Sequence, residues 1–450
     1  MKLFAYPKLG EQFYEQKLPN GLCVRVLPKP GFARRYAFLG VNFGSIDTHF
    51  TLDGREYRVP DGIAHYLEHK MFDLPEGDAT EQFAAHGGSP NAFTSYTMTA
   101  YYFDCTEEFE ENLRILLRLV TVPYFTPESV EKERGIIAQE IRMYEDSAES
   151  RVYEDLFRGM FAVHPVRVPV AGTVESIAEI TPQALYDCHA AFYRPGNMIL
   201  CVAGDVDPEA VVRIARELTP EVSAPLPVRD YGAAEALSCP MPIQQRVMEV
   251  AMPTFAFGFK CAPPAPDALM HREVLGDLAA EILAGESSEL YQRLYERGLI
   301  DAGFSVGYES VKDACLLSAS GDSTDPEAVQ RALHEFHGAG RRLEFKGRYH
   351  GADVYDDYSH IANNGVDPAQ FARLVKSALG RRTRDLDSFE SICYLMGGSY
   401  YFDGVDYLRF PEVYASVTPE DVQRFLAETV QPERAALAVV RPKEGEKDYA

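Results

Sequence analysis

Two histidines and a glutamate lie within one five-residue stretch of this chain, His65-Tyr66-Leu67-Glu68-His69. If the stretch is helical, His65 and His69 share one face, where both imidazoles can bind a single metal ion. Glu68 lies one turn from His65 and can hold a water molecule at that ion without being a ligand itself. The stretch therefore predicts a metal-dependent hydrolytic site, to which the rest of the chain must supply a third ligand and a substrate groove.

The order His-x-x-Glu-His is a known zinc-peptidase signature, and a catalytic zinc needs three protein ligands and one open position. One long helix predicted over residues 127–158 carries four candidates for the third ligand, Glu131, Glu133, Glu140 and Glu145. Glu133 and Glu140 are seven residues apart and share a face, whereas Glu131 and Glu140 point to opposite sides. We expect the ligand to come from this helix, and a carboxylate that is not a ligand to orient a histidine.

Charge and hydropathy restrict the partners of the chain. Its 450 residues include 44 basic and 68 acidic residues, a net charge of -24, which disfavours nucleic acid and anionic membranes as partners. No apolar run approaches the roughly 18 residues of a membrane span, and the N-terminal stretch lacks the apolar segment of a signal peptide. The eight cysteines are scattered and form no CxxC pair. We therefore expect a cytoplasmic protein with free thiols.

Local patterns predict a chain that mixes strands and helices. The turn dipeptide Asn20-Gly21 predicts a hairpin over residues 12–28. Residues 91–103, rich in Thr, Tyr and Phe, predict one long strand, whose place after the metal helix and a Gly-Gly turn indicates an edge strand that pairs with a peptide. Further helices are predicted at 107–121, 181–192, 268–284, 286–296, 325–338, 367–379 and 418–430.

An internal repeat indicates two related halves. Thr181-Pro182 and Thr418-Pro419 each begin a predicted helix, a second proline follows 13 residues after the first, and an apolar strand comes next. The five prolines of residues 217–242 predict a linker. The predicted domains are an N-terminal catalytic, zinc-binding half at 1–216, that linker, and at 243–450 a C-terminal half of related fold without the metal motif.

Four motifs make the chain resemble the pitrilysin/insulinase-type zinc peptidases, the inverzincins. They lie at residues 65–69, 86–103, 133–140 and 197–207, while details at 44–47, 60–72 and 164–177 resemble the bacterial cytoplasmic YmfH-type members of that family. The resemblance implies an α/β (α+β) fold of two homologous halves. Each half would be a mostly antiparallel sheet with helices packed on it, and the halves would form a clam-like peptidase chamber.

The resemblance also implies a function and the residues that perform it. The chain would be a zinc-dependent endopeptidase that cleaves peptides or short unfolded segments, with Glu68 as general base on a zinc-bound water and Glu133 as a supporting carboxylate. The ligands of one Zn²⁺ ion per chain would be His65, His69 and Glu140. The residues of the edge strand that binds the peptide substrate would be Asn91, Ala92 and Phe93.

One departure from the family bears on assembly. Active members often carry an Arg, and a Tyr seven residues later, in the half that faces the zinc, but the matching positions here, aligned on Gly298-Leu299, are Leu294 and Asp301. We therefore expect a dimer, and a paralogous partner that supplies the Arg/Tyr pair would make it a heterodimer. The alternative function is a catalytically silent structural or binding subunit of such a heterodimer. Residues 340–410 match the family poorly and carry no functional prediction.

Overall fold

The computed structural model describes residues 1–221, 223–337, 347–349, 352–354, 361 and 365–443. The chain divides into two units, each with its own main sheet. Unit 1 comprises Met1–Arg142, Val168–Gly232 and Arg381–Pro411, and unit 2 comprises Met143–Arg167, Ala233–Gly380 and Glu412–Ala450. Sheets packed with helices confirm the predicted mixed α and β fold class.

The strands in chain order are β1 (Lys2–Tyr6), β2 (Glu11–Lys17), β3 (Cys23–Pro28), β4 (Arg35–Val41), β5 (His49–Leu52), β6 (Arg55–Arg58), β7 (Asp73–Leu74), β8 (Gly77–Asp78), β9 (Ser89–Thr94), β10 (Thr99–Cys105), β11 (Met198–Gly204), β12 (Val228–Arg229), β13 (Ile243–Met248), β14 (Thr254–Cys261), β15 (Ser305–Val311), β16 (Ala314–Asp322), β17 (Gly347–Tyr349), β18 (Ala352–Val354) and β19 (Ala435–Pro442). The main sheet of unit 1 has the order β1-β2-β3-β11-β4-β10-β9, and that of unit 2 has the order β13-β19-β14-β16-β15. β9 is thus an edge strand.

The α-helices in chain order are α1 (Ile63–Lys70), α2 (Ala79–Ala85), α3 (Phe109–Thr121), α4 (Pro127–Glu145), α5 (Ala148–Met160), α6 (Val174–Ala178), α7 (Pro182–Phe192), α8 (Pro208–Leu218), α9 (Leu269–Ala284), α10 (Glu289–Glu296), α11 (Pro326–His337), α12 (Pro368–Asp385), α13 (Phe389–Gly397), α14 (Ser399–Phe402), α15 (Phe410–Ser416) and α16 (Pro419–Thr429). In unit 1, α1 packs against β9 and β10, and α13 packs against β4 and β11. In unit 2, α5 packs against β14 and β19, and α9 packs against β15.

Side chains alternate between the two faces of the unit 1 sheet along each strand. Both faces are buried. Leu39 and Tyr101 face each other in register and belong to the main core cluster with residues of α1 and α3. We call their side the core face. Phe38 and Tyr102 form the neighbouring pair in the register and point the other way, toward α13. We call their side the outer face.

The internal repeat has the same topology in both sheets. The side chains of Thr181 and Thr418 cap the first turns of α7 and α16, each of which begins with a proline. The strand that follows each helix, β11 or β19, pairs in parallel with one neighbour and antiparallel with the other. The repeated sequence pattern thus builds the same central strand in each unit.

Two long elements predicted from the sequence are each divided in the structure. The strand predicted over 91–103 is wrong: β9 and β10 form an antiparallel hairpin, because the hydroxyl of Ser95 accepts hydrogen bonds from the backbone N–H groups of Thr97 and Met98 and closes a turn. The helix predicted over 127–158 is wrong in the same way. It ends at Glu145, and the side chain of Ser147 caps the start of α5.

The units differ from the predicted halves in two segments. Met143–Arg167, which carries α5, belongs to unit 2, and Arg381–Pro411, which carries α13, belongs to unit 1. The boundary between Gly232 and Ala233 falls inside the predicted linker at 217–242, and the division into halves stays a prediction. The sequence predicts no function for residues 340–410, and much of the first part of that stretch, 340–366, lies outside the described residues.

The loop at residues 44–47 supports the turn at the end of β9. The backbone N–H groups of Ser45 and Ile46 donate to the carbonyl oxygens of Ser95 and Tyr96 at 3.0 and 3.1 Å. A Cβ atom on Gly44 would lie 2.3 Å from the Tyr96 oxygen, so only glycine allows this close approach. The loop therefore fixes where the edge strand ends.

Asp47→Asn is expected to lower the free energy of unfolding by about 3 kcal/mol. The buried Asp47 carboxylate accepts hydrogen bonds from Gly44 N, Arg229 Nε and Tyr231 Oη at 2.9, 2.9 and 3.0 Å. The amide leaves the mostly buried Arg229 guanidinium without its counter-charge. Urea unfolding followed by circular dichroism measures the loss, with the exposed Glu81→Gln as the matched control. Equal midpoints for the two variants would contradict this role.

Candidate metal centre and active site

α1 is a short helix that is fixed on all sides. It follows Gly62, whose φ of +85° is left-handed and where a Cβ atom would lie 2.4 Å from the Ala171 oxygen, so glycine is required there. Tyr66 and Leu67 are fully buried. The hydroxyl of Tyr66 donates to the carbonyl oxygen of Val130, which ties α1 to α4. The orientation of the histidines on α1 is thereby set by the core.

His65, His69 and Glu140 converge at one point. The His65 Nε2 atom lies 3.6 Å from Glu140 Oε1, and His69 Nε2 lies 3.5 Å from Glu140 Oε2. These separations are too long for hydrogen bonds but close to the distance of about 3.3 Å between two ligands of a tetrahedral zinc. Within the described part of the chain, these three residues form a group whose ligand atoms lie within 4.8 Å of one another. Two imidazoles and one carboxylate are a donor set that zinc accepts.

The burial of His65 supports a metal ion at this point. His65 is 9% exposed, and its Nδ1 atom is buried without a hydrogen-bond partner. Burying an imidazole costs free energy unless its ring atoms find partners. The other ring atom, Nε2, lies 3.6 Å from Glu140 Oε1, and a metal ion between these two atoms would bind the ring on that side.

Glu133 lies on the other side of His69. Its Oε1 atom accepts a hydrogen bond from His69 Nδ1 at 3.0 Å, which leaves His69 Nε2 directed toward Glu140. This bond lowers the pKa of Glu133, and Lys70 adds to the effect. Burial disfavours the charged form of His69, but the bond to Glu133 and the carboxylates of Glu68 and Glu140 outweigh it and raise the pKa. The geometry places Glu140, and not Glu133, between the two imidazoles.

Glu68 is held by a residue that the sequence did not single out. Glu68 is buried, and the hydroxyl of Thr94 donates to its Oε2 atom at 2.6 Å. Burial raises the pKa of Glu68, although the bond from Thr94 and the two imidazoles act against the rise. The sequence could have indicated Thr94, because this residue lies two positions after Ala92 in the predicted edge strand and its side chain is on the same face.

The predicted substrate-binding residues all lie on the edge strand β9. Asn91 is exposed, whereas Ala92 and Phe93 are half-buried. Ala92 is paired in register with Tyr101 on the core face, the face toward Glu68. Phe93 is on the outer face, where its ring lies 6.5 Å from that of Phe38. The strand thus presents Ala92 to the metal side and Phe93 to the opposite side.

The remaining candidates are not members of this cluster. Glu131 and Glu145 of α4 are exposed. In unit 2, Leu294 is buried in α10 and Asp301 is exposed just beyond it.

Within the described part of the chain, every helix is too short or too polar to cross a lipid bilayer.

Glu133→Gln is expected to weaken zinc binding about 10- to 100-fold, because outer partners of a ligating histidine contribute by about that factor. The amide cannot supply the negative charge that favours the His69 Nδ1–H donor. Zinc affinity is measured by competition with a chromogenic chelator, and the exposed Glu131→Gln on the same helix is the control. Equal affinities for both variants would show that Glu133 does not support the centre.

Two known family profiles match the chain. The profile of Insulinase (Peptidase family M16) matches residues 55–174, and that of the Peptidase M16 inactive domain matches residues 179–344. The chain is 35% identical to the zinc protease YmfH of Bacillus subtilis over 98% of this chain and 100% of that protein. The chain therefore belongs to the insulinase family, peptidase family M16, which confirms the resemblance seen in the motifs.

One further relative and two solved structures are also similar to the chain. The chain is 26% identical to a zinc protease of Streptomyces coelicolor over 94% of this chain and 88% of that protein. The crystal structure of an M16-like peptidase from Alicyclobacillus acidocaldarius superposes with a TM-score of 0.87, at 30% identity, over 98% of this chain and 100% of that chain. A protease from Helicobacter pylori, 18% identical, shares the fold with a TM-score of 0.79 over 96% of this chain and all of that one.

Proposed function

We propose that this chain is a zinc-dependent endopeptidase that cleaves peptides or short unfolded segments. The observation that carries the proposal is the convergence of His65, His69 and Glu140 beside a buried, hydrogen-bonded Glu68. The names of the relatives as zinc proteases support it. The profile of the inactive domain covers residues 179–344, outside the residues of the centre.

The chain's own residues suit the two proton transfers of peptide hydrolysis. A zinc ion bound by the three ligands would acidify water and polarise the scissile carbonyl. Glu68 takes the proton of the attacking water and passes it to the leaving amine. The Thr94 hydroxyl occupies Glu68 Oε2 and leaves Oε1 to receive the proton. Glu133 keeps the His69 ring in one orientation through Nδ1.

The edge strand suits an extended peptide. β9 is the last strand in the order of the unit 1 sheet. A peptide that pairs with a sheet edge gains main-chain hydrogen bonds and places alternate side chains on opposite faces. Thr94 links β9 directly to Glu68, so a peptide paired with β9 would run past the proton acceptor.

Removal of zinc is expected to abolish hydrolysis reversibly. The purified protein, alone or with the partner that completes its activity, would bind one zinc per chain and cleave a quenched fluorescent peptide of unfolded sequence. Treatment with 1,10-phenanthroline would stop cleavage, and added zinc would restore it, because the water and carbonyl both depend on the metal. Cleavage that continues after the metal has been removed completely would overturn the proposed function.

A second candidate function is that of a catalytically silent subunit. It is favoured by Leu294 and Asp301, which stand where active relatives often carry an Arg and a Tyr. We propose instead that the chain works as a dimer in which a paralogue supplies this pair. The chain is assayed alone and with each paralogue of its own cell. Full activity of the lone chain would exclude the partner, and zinc without cleavage in every pairing would favour the silent subunit.

We also propose a cytoplasmic location. All eight cysteines are free thiols, and seven of them are buried. Free thiols are typical of reducing compartments. Fractionation of the native cell with an antibody against the chain tests the location, and recovery outside the cytoplasm would contradict it.

A further inference from the structure

A cavity of about 300 Å³ opens on the outer face of the unit 1 sheet, the face opposite to Glu68. Aromatic side chains of three neighbouring strands line it, Phe38 on β4, Tyr102 on β10 and Phe93 on the edge strand β9. The cavity is also lined by residues of α13 and of the C-terminal end of α12. It therefore reaches from the middle of the sheet to the edge at which a peptide would pair.

The rings of the cavity contact one another and form an aromatic cage. The Tyr394 ring of α13 lies 6.0 Å from that of Phe93 and meets Phe38 edge-on at 6.4 Å. Tyr102 lies 6.3 Å from Phe93 and 5.7 Å from Tyr36. Phe38 is buried, whereas Tyr394 is 39% exposed. The cage thus has a closed floor and an open rim, which suits a side chain that enters from solvent.

The charges at the rim are mainly negative. Two exposed carboxylates line the cavity, Asp385 and Glu390. Among the described residues that line the cavity, the positively charged one is Arg382. Its guanidinium donates to the Tyr407 hydroxyl and lies over the Tyr407 ring, 5.2 Å from the ring centre. Burial raises the pKa of Tyr102, and the charge of Glu390 raises it further. Because Glu390 and Tyr102 line the same cavity, a cation held against the rings would also meet this carboxylate.

We propose that this cavity is a specificity pocket for the cationic side chain of a lysine or arginine in the peptide that pairs with β9. The inference rests on the proposed function, because the peptide substrate is what occupies the pocket. It adds the class of side chain that the substrate carries. Aromatic faces attract cations through their quadrupole, and carboxylates bind ammonium and guanidinium groups by charge-assisted hydrogen bonds.

The position of Phe93 connects the pocket to the peptide. A residue paired with Phe93 in an added strand has its side chain on the same face, with its Cβ atom about 4.5 to 5.5 Å from that of Phe93. The aliphatic stem of a lysine or arginine can pack along the Phe93 ring while the charged head reaches toward Glu390. A short side chain cannot make both contacts, and a neutral side chain of the same length makes them without the charge.

Peptide binding to the Glu68→Gln variant tests the pocket without requiring hydrolysis. The probes are fluorescein-labelled ten-residue peptides of neutral, strand-forming sequence in which one arginine is moved through every position. Each has a counterpart with citrulline, which has the same shape without the charge. Fluorescence anisotropy is expected to show binding about tenfold tighter for arginine than for citrulline in one register.

The double variant Asp385→Asn/Glu390→Gln, made in the Glu68→Gln background, is expected to bring this ratio to about two. Asp387→Asn is the matched control, an exposed carboxylate between the two that does not line the cavity, and it is expected to keep the full ratio. Equal binding of arginine and citrulline in every register, a full ratio in the double variant, or no peptide binding would overturn the inference. An arginine preference in a protein that never hydrolyses peptides would overturn the proposed function alone.

Discussion

Glu68→Gln is expected to lower kcat/KM for peptide hydrolysis by about 10³- to 10⁴-fold, in the chain alone or with the partner that completes its activity. The amide has the shape of the carboxylate and can still accept the hydrogen bond that Thr94 gives to Oε2. It cannot take a proton from water or return one to the leaving amine. Because Glu68 is buried, bulk water is a poor substitute for it.

The measurement pairs hydrolysis with metal content. Zinc per chain is expected to remain at one, because Glu68 is outside the group of His65, His69 and Glu140. Glu131→Gln, an exposed glutamate of α4, is the control and is expected to keep full activity. Retention of more than a tenth of the wild-type kcat/KM by Glu68→Gln would exclude Glu68 as the general base.

Short-range chemistry made much of the fold predictable, and packing over long range made the rest unpredictable. Helices that begin at Thr181 and Thr418 follow from caps and prolines that lie within a few residues. The two breaks at Ser95 and Ser147 depend on single hydroxyls that satisfy backbone donors, a weak signal within long periodic stretches. The placing of α5 in unit 2 and α13 in unit 1 has no local signal, because it depends on which sheet face is left to be covered.

The candidate site divides in the same way. His65, Glu68 and His69 are spaced within about one helical turn. The helix that carries them was therefore predictable from the sequence. Glu133 and Glu140 share a helix face, so spacing could not decide which of them is the ligand. In the structure, Glu140 faces Nε2 of both imidazoles and Glu133 faces Nδ1 of His69. Thr94 comes from another element and contacts Glu68 only through the pairing of α1 with the edge of the sheet. The sequence therefore did not predict the contacts that residues of different helices and strands make with one another.

Glu140→Gln is expected to weaken zinc binding by more than 100-fold, beyond the effect of Glu133→Gln. Glu140 is the residue whose two carboxylate oxygens face His65 Nε2 and His69 Nε2 at 3.6 and 3.5 Å. The amide removes the negative charge that offsets the metal ion and leaves two neutral imidazoles as the remaining ligands. Glu133→Gln leaves all three ligands in place and changes only the support of one ring.

The order of the two losses is the decisive result. Zinc dissociation constants from chelator competition are compared for wild type, Glu140→Gln, Glu133→Gln and the exposed Glu145→Gln of the same helix, which is expected to match wild type. Circular dichroism establishes that each variant is folded. A larger loss for Glu133→Gln than for Glu140→Gln would exchange the roles of the two carboxylates, since a ligand contributes more to metal affinity than the group that orients its neighbour.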